Sequence, residues 1–434
     1  MNNVSFFDGA NRFVIDKPIR LIELFAGIGS QAKALERLGA SFEHYRICEF
    51  DKYAVASYNA VHGTDFTTSD ITKIKAEDLG IVDTDKYCYI MTYSFPCQDL
   101  SLAGKQRGMV KGGGTRSGLL WEVERLLDEC KELPQVLIME NVPQVIGTKN
   151  IEHFAKWQEK LESLGYKNKW QVLNAKDFGI PQNRERCFMV SILGDYYYEF
   201  PKTMKLEKRL KDLLETKIEE KYYLSDRMVT FFENHSKECE EKGSGFRFSP
   251  VENTEVVAKA VTTRAGARMD DNFIKQQEPV ALDEQNNYIR KDGCVGTLTT
   301  DGSSPKHNNR IIEPLLKTQL CNELLKKGEI KENDIIRTSY TRNRMSGDLR
   351  IENKTDNNVS YTLSTRSDCL GICTNYRIRK LTPKECWRLM GFDDKDVDNA
   401  RAIGMSDAQL YKQAGNSIVV NVLEKIFNNL LKNS

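Results

Sequence analysis

Ile19-Arg-Leu-Ile-Glu-Leu-Phe25-Ala-Gly-Ile-Gly29 reads as a β-strand that stops at a glycine-containing turn, and Gln31 to Leu38 behind it has helical composition. At such a junction glycines let the backbone approach a ligand, and the helix N-terminus offers free N–H groups. The same alternation continues outward. Phe42–Cys48 is a second strand ending at Glu49, and Tyr87–Tyr93 is a third. Val136–Met139 is a fourth, entered from Pro134 behind a helix with Leu119, Leu120, Val123, Leu126 and Leu127 on one face. Cys187–Leu193 completes the set. Short apolar runs alternating with amphipathic segments from Pro18 to about Phe200 predict an α/β domain with a mostly parallel sheet covered by helices.

Beyond Phe200 the texture changes. Leu206 to Glu220 reads as a short charged helix, followed by about 150 residues rich in Asn, Asp, Gly, Ser and Thr that predict short strands and loops. Val261-Thr-Thr-Arg264, Leu298-Thr-Thr-Asp301 and Leu363-Ser-Thr-Arg366 recur at uneven spacing, as three similar β-hairpin turns would. Asn416 or Ser417 is placed to cap a last helix striped by Ile418, Val422, Leu423, Ile426, Phe427 and Leu430.

The 434 residues carry 63 Lys+Arg against 62 Asp+Glu, which excludes a globally basic nucleic-acid coat. No apolar run approaches the ~20 residues of a membrane span, and Met1–Ile15 lacks the apolar core of a secretory signal, so a cytoplasmic protein is expected. Eleven scattered cysteines then read as reduced thiols, and Cys369 and Cys373 lack the partners of a zinc site.

Several residues carry chemistry. Glu49, twenty residues after Gly29 at a strand end, suits a carboxylate accepting from two ribose hydroxyls, although the turn lacks the third glycine of a dinucleotide fingerprint, Ala32 standing there. Asp70-Ile71 presents another carboxylate, suited to an adenine amino group or to a plain surface loop. Cys97 follows a strand and Pro96, then runs into Gly104, Gly108 and Gly112-Gly-Gly114: a nucleophile at a strand end beside a glycine-rich lid. Glu140-Asn141-Val142 ends the next apolar strand, so its carboxyl emerges on the same sheet edge as Cys97 and is open to being held protonated by desolvation. Arg184 and Arg186, at i and i+2 of an extended segment, suit a carboxylate, phosphate or carbonyl, or a solvated turn. The five histidines lie in no matching catalytic context.

In this order the residues resemble the cytosine-5 DNA methyltransferases over nearly the whole chain. Phe25-x-Gly27-x-Gly29, Pro96-Cys97-Gln98, Glu140-Asn141-Val142, Gln182-x-Arg184-x-Arg186, Arg379-Lys-Leu-Thr-Pro-Lys-Glu385 and Gln413-Ala-Gly-Asn416-Ser look like six of that family's motifs. The resemblance implies a Rossmann-like domain over 1–204 and 405–434 that binds S-adenosylmethionine, and a smaller, irregular, β-rich target-recognition domain over 205–404. It implies that Cys97 attacks carbon 6 of a flipped cytosine while Glu140 donates to ring nitrogen 3. Arg186 is expected at the cytosine carbonyl and Arg184 as a structural or phosphate ligand. By the same implication Phe25 and Phe50 flank the adenine or sulfonium, Gly27 and Gly29 form the turn, Glu49 binds the ribose, and Asp70 and Ile71 hold the adenine. Pro96, Leu120 and Asn416 complete the pocket, and no metal is implied.

Departures are few: Ser94 stands where a glycine is common, Phe50 where a tryptophan occurs, and Ala103 where some relatives carry an intercalating serine, for which Gln106 or Arg107 are substitutes. An RNA-acting relative would be expected to show Cys-Phe-Thr, which is absent, and a non-catalytic one to lose Cys97 or Glu140, which are present. Double-stranded DNA is the expected partner of a monomer, with a cognate restriction endonuclease as a genetic companion. Residues 337–380 carry nine Lys+Arg against four acids, a local cationic stretch suited to phosphate contact.

Overall fold

The computed structural model describes residues 11–96, 100, 116–243, 245–252, 254–277 and 376–431, together with the backbone of six short strands between 281 and 372. The first part runs β1 (Ile19–Leu24), α1 (Ser30–Arg37), β2 (Phe42–Cys48), α2 (Lys52–His62), β3 (Cys88–Tyr93), α3 (Leu120–Glu129), β4 (Val136–Asn141), α4 (Ile151–Ser163), β5 (Tyr166–Asn174) and β6 (Glu185–Leu193). One six-stranded sheet orders these β2-β1-β3-β4-β6-β5. The pairs β1/β2, β1/β3 and β3/β4 are parallel, whereas β6 is antiparallel to both β4 and β5, so β6 alone runs against the rest. An antiparallel insertion brings the start of one strand to the edge where its neighbours end, and that is how Arg186, at the start of β6, reaches Glu140.

Both faces of the sheet are covered, which is why the central strands read as unbroken apolar runs. The period of two still shows in β4: Val136 and Ile138 join Leu21, Ile90 and Val190 in one core, while Leu137 and Met139 join Leu24, Met91 and Met189 in the other. The first core is closed by Ala34 and Leu35 of α1 and by the C-terminal helix, the second by Leu120, Val123, Leu126 and Leu127 of α3 with Phe154, Trp157 and Leu161 of α4.

The second part contains α5 (Asp226–Glu241), β7 (Phe273–Gln277) and β8 (Tyr376–Lys380), the two strands antiparallel and covered by Phe232. Between them the backbone forms two three-stranded sheets. The sixteen-residue α5 was not expected in this segment; Ser225 caps it and Phe232 and Cys239 are its buried positions, a sparse stripe that charged neighbours hide in the sequence. Leu206 to Glu220, expected as a helix, forms only 3-10 turns at Leu210–Leu213 and Glu220–Tyr222. Its Leu210 and Lys211 N–H groups donate to the carbonyls of Val256 and Thr254, both at 3.0 Å, in place of continuing helical bonds. Val261–Arg264 is not a hairpin turn either, since Ala258–Lys259 pairs with Gln182–Asn183 and Phe273–Gln277 with β8; the two similar turns at 298–301 and 363–366 lie outside the described residues.

The chain returns through α6 (Pro383–Leu389), α7 (Asp394–Ala402), α8 (Asp407–Asn416) and α9 (Val420–Asn428). Trp387, Leu389, Met390, Val397 and Ala400 belong to the first core, which also takes in Leu210, Tyr222 and Val261 of the expected second domain. Lys33 pairs with Asp396 at 2.9 Å and Arg37 donates to the Gly391 carbonyl at 2.7 Å, fixing α7 and its loop on α1. Neither Asn416 nor Ser417 caps α9: Asn416 ends α8, Ser417 is its C-cap, and α9 starts behind Val419, with the Val420 N–H donating to the Met390 carbonyl at 3.0 Å. β-branched Ile418 and Val419 keep the link extended.

The motif from Arg379 to Glu385 is structural. Both side chains are fully buried and form a two-pronged pair of 2.8 and 2.9 Å, and Glu385 also accepts from the N–H groups of Thr382 and Glu215, each at 2.8 Å. Arg379 is therefore unavailable to a phosphate, and Arg377 pairs with Glu220 at 3.0 Å, which removes two cations from the expected basic stretch. Among the described residues no helix is long and apolar enough to cross a membrane, and the six described cysteines are free thiols. Arg379→Met leaves a buried carboxylate without its cation and is expected to cost about 3–5 kcal/mol of unfolding free energy, measurable by urea denaturation.

Candidate active site

β1 ends in a strained turn. Phe25 has φ 59, a left-handed conformation uncommon outside glycine, and its N–H donates to the Cys48 carbonyl at 2.7 Å. Gly27 and Gly29 also have positive φ, 57 and 79, for different spatial reasons. A Cβ on Gly27 would meet nothing within 4 Å, so that side of the turn is open. A Cβ on Gly29 would lie 2.3 Å from His62 Nε2 and 2.7 Å from the Tyr58 ring, so that side is filled by protein.

Glu49, just beyond β2, folds back onto this turn. Its carboxylate accepts from the Gly27 N–H at 3.0 Å and the Asp51 N–H at 2.9 Å. Burial raises its pKa, with those N–H groups opposing. Phe50 beside it is 74% exposed, and Asp70 accepts from the Thr72 N–H and hydroxyl at 3.0 and 2.8 Å. Ile71 and Leu120 are buried within the second core. Asn416 is exposed at the end of α8, which Gln413 fixes on α2 by donating to the Tyr53 carbonyl at 3.0 Å and the Ser57 hydroxyl at 2.9 Å.

The segment leading to the expected nucleophile is held from two sides. Asn141 donates to the Phe95 carbonyl at 3.0 Å and Ser117 to the Pro96 carbonyl at 2.7 Å. Cys97 lies outside the described residues, as do Gly104, Gln106, Arg107, Gly108 and Gly112–Gly114. Asn141 carries a signal in the sequence through its place beside Glu140; Ser117 carries none.

Glu140, 9% exposed, ends β4 with Oε1 3.0 Å from Arg186 Nε. Its pKa is raised because burial outweighs the opposing fields of Arg186 and Arg184. The two arginines do not form a joint clamp. The Arg184 N–H turns back to the Gln182 carbonyl at 3.1 Å, breaking the extended segment, and its guanidinium donates to the carbonyls of Val261, Gly415 and Ser417 at 3.0, 2.9 and 2.9 Å. Gln182, fully buried, accepts from the Val261 N–H at 2.9 Å and donates to the Leu389 carbonyl at 2.6 Å. The site thus joins an open, carboxylate-lined glycine turn to a buried carboxyl group that an arginine orients.

The family model for C-5 cytosine-specific DNA methylases matches residues 19–432. The chain belongs to that family. The methylase is 31% identical to the type II methyltransferase M2.ScrFI of Lactococcus lactis subsp. cremoris, over 95% of this chain and 99% of the relative. It is 28% identical to the orphan methyltransferase M.SPBetaI of Bacillus phage SPbeta, over 95% and 97%. In fold, the methylase is similar to the Entamoeba histolytica methyltransferase EhMeth, with TM-score 0.61, 15% identity and 96% and 98% of the two chains covered. The S. pombe Dnmt2 methyltransferase gives TM-score 0.57 and 18% identity over 95% and 97%.

Two measurements follow from the turn of the methylase. Gly27→Ala is expected to cost about 1–2 kcal/mol of stability from left-handed backbone alone, and Gly29→Ala more, because His62 must move; paired urea titrations check the order. Glu23, buried below the turn and accepting from the Tyr58 hydroxyl at 2.5 Å, has its pKa pushed by burial from 4.5 up to about 7. A raised carboxyl pKa favours the folded state at low pH and loses that contribution as pH rises through the folded value. Stability of the native chain should therefore fall between pH 5 and 8 relative to Glu23→Gln, by up to about 3 kcal/mol.

Proposed function

We propose that this C-5 cytosine methylase uses S-adenosylmethionine to methylate a cytosine flipped out of duplex DNA, within a short specific sequence. The observation that carries the reading is the buried Glu140 carboxyl, raised in pKa and held by Arg186 at 3.0 Å, at the edge toward which the Pro96 segment leads. A carboxyl whose pKa is raised takes up a proton more readily and is suited to donate it to a ring nitrogen.

The turn fits the cofactor. Glu49 has both oxygens anchored to backbone N–H groups and lone pairs left for ribose hydroxyls, the Gly27 side is open, and exposed Phe50 offers a ring face beside it. Phe25, Glu49, Phe50, Asp70 and Ile71 would hold it, with Pro96, Leu120 and Asn416 closing the pocket. Bound there, the cofactor supplies an electrophilic methyl group for carbon 5.

The chain's own residues do the rest. Pocket contacts and lid closure offset the few kcal/mol of flipping the base. The Cys97 thiolate bonds to carbon 6 while Glu140 gives its proton to nitrogen 3, so negative charge does not build on the ring. Arg186 supports Glu140 and contacts the cytosine carbonyl, and Arg184 acts by holding its neighbours. After methylation the carbon-5 proton passes to water, Cys97 leaves carbon 6 as the thiolate, and Glu140 takes back the proton of nitrogen 3. Bases are read by the region between β6 and α6. The enzyme acts as a monomer, and any restriction endonuclease is a genetic companion.

Methyl transfer from labelled S-adenosylmethionine to duplex DNA, duplex RNA and tRNA tests this. Label is expected in DNA alone, abolished by Cys97→Ser and slowed about 100-fold or more by Glu140→Gln. Label in RNA but not DNA, or label undiminished by Cys97→Ser, overturns it. A covalent adduct on 5-fluorocytosine DNA identifies the attacking thiol.

A further inference from the structure

Behind the glycine turn lies a cluster that the methyl-transfer scheme does not use. His62, at the end of α2, has a fully buried side chain; its Nδ1 lies 2.6 Å from Glu36 Oε1 and its Nε2 lies 3.1 Å from the carbonyl of Ile28, the residue between the two glycines. Both partners are obligate acceptors, so both bonds form only when both ring nitrogens carry protons. His44 stands on the other side. Its Nδ1 is 3.0 Å from the Tyr58 hydroxyl, which donates to Glu23, and its Nε2 is 3.6 Å from Glu36 Oε1.

These side chains bring three ligand-type atoms within 4.8 Å of one another, but a proton accounts for the cluster better than a metal ion does. The 2.6 Å separation of Glu36 and His62 is a charge-assisted hydrogen bond, and the cation of Lys33 already stands 3.8 Å from Glu36 Oε2.

We propose that His62, anchored by Glu36, is a positioning residue for cofactor binding: by donating to the Ile28 carbonyl it fixes the Gly27–Gly29 turn. This rests on the turn being the S-adenosylmethionine site. The groups around it agree. On α1, Glu36 has its pKa lowered, burial being outweighed by His62, Lys33 and His44, and Lys33 is held by Asp396 and Asp393 of the α7 segment at 2.9 and 3.5 Å. On β2, burial and then the charge of His62 push His44 down to about 4, so it stays neutral. On α2 and β1, Tyr58 and Glu23 form the remaining wall. Gly29 completes the argument, since any side chain there would occupy the place of the His62 ring.

Calorimetry of S-adenosylhomocysteine binding to the full chain tests the proposal. His62→Phe should bind about tenfold more weakly than native. His62→Gln, able to donate to the Ile28 carbonyl, should stay within about threefold of native. If His62→Phe does not fold, Glu36→Gln, which removes the anchor of the ring, serves instead and should weaken binding several-fold. Folded His62→Phe, or Glu36→Gln in its place, binding within twofold of native overturns the role of His62, as does His62→Gln binding as weakly as His62→Phe. A native chain that binds no S-adenosylhomocysteine overturns the cofactor reading instead.

Discussion

The Arg184 guanidinium, in a residue 4% exposed, reaches three carbonyls from two distant parts of the chain: Val261 at the entry to the second region, and Gly415 and Ser417 at the junction of the last two helices. A buried cation needs several acceptors to offset its desolvation. Backbone carbonyls supply them without a competing carboxylate, so the position of each strand of chain is fixed by the same planar group. Gly415 is a condition of this arrangement, because a Cβ there would lie 2.3 Å from the Thr263 nitrogen. Close approach of two backbones and capture of both by one guanidinium are one constraint seen from two sides.

From that clamp the polarity of the site follows. Arg184 lies just before the one reversed strand and Arg186 at its start, where Arg186 meets Glu140 of the neighbouring strand. Two carboxyls, half-buried Glu49 beyond β2 and buried Glu140 in β4, stand at the same edge of the sheet with pKa values raised by burial. Their surroundings differ: Glu49 accepts from N–H groups of the backbone, Glu140 from an arginine side chain. Backbone donors leave a carboxylate as an acceptor for hydroxyls. A buried carboxyl beside an arginine that can turn toward a substrate is poised to exchange its proton.

Most of the sheet was legible in the sequence because its central strands are covered on both faces and so appear as plain apolar runs. Val136–Met139 and Cys187–Leu193 are visible for that reason, while the edge strand β5, with few buried side chains, is not. Helix α5 shows the same limit, since a stripe of two buried positions in sixteen residues does not rise above the charges around it. Failure at Leu206–Glu220 has another cause: its backbone N–H groups found partners 46 and 43 residues away, at Val256 and Thr254 beyond Leu210 and Lys211, and no local periodicity encodes that. Charge counting misled in a similar way, as Arg379 in the basic stretch is spent on Glu385.

The sequence by itself determined which chemical groups this methylase carries and at which strand ends they fall, because period, turn residues and motif order are local properties. Tertiary structure alone decided what each group faces. It separated Arg184 from Arg186, gave Gly27 an open side and Gly29 a histidine, and drew residues 383–402 into the first core. Those outcomes depend on which distant carbonyls and rings come within about 3 Å, and spacing along a chain carries no such information.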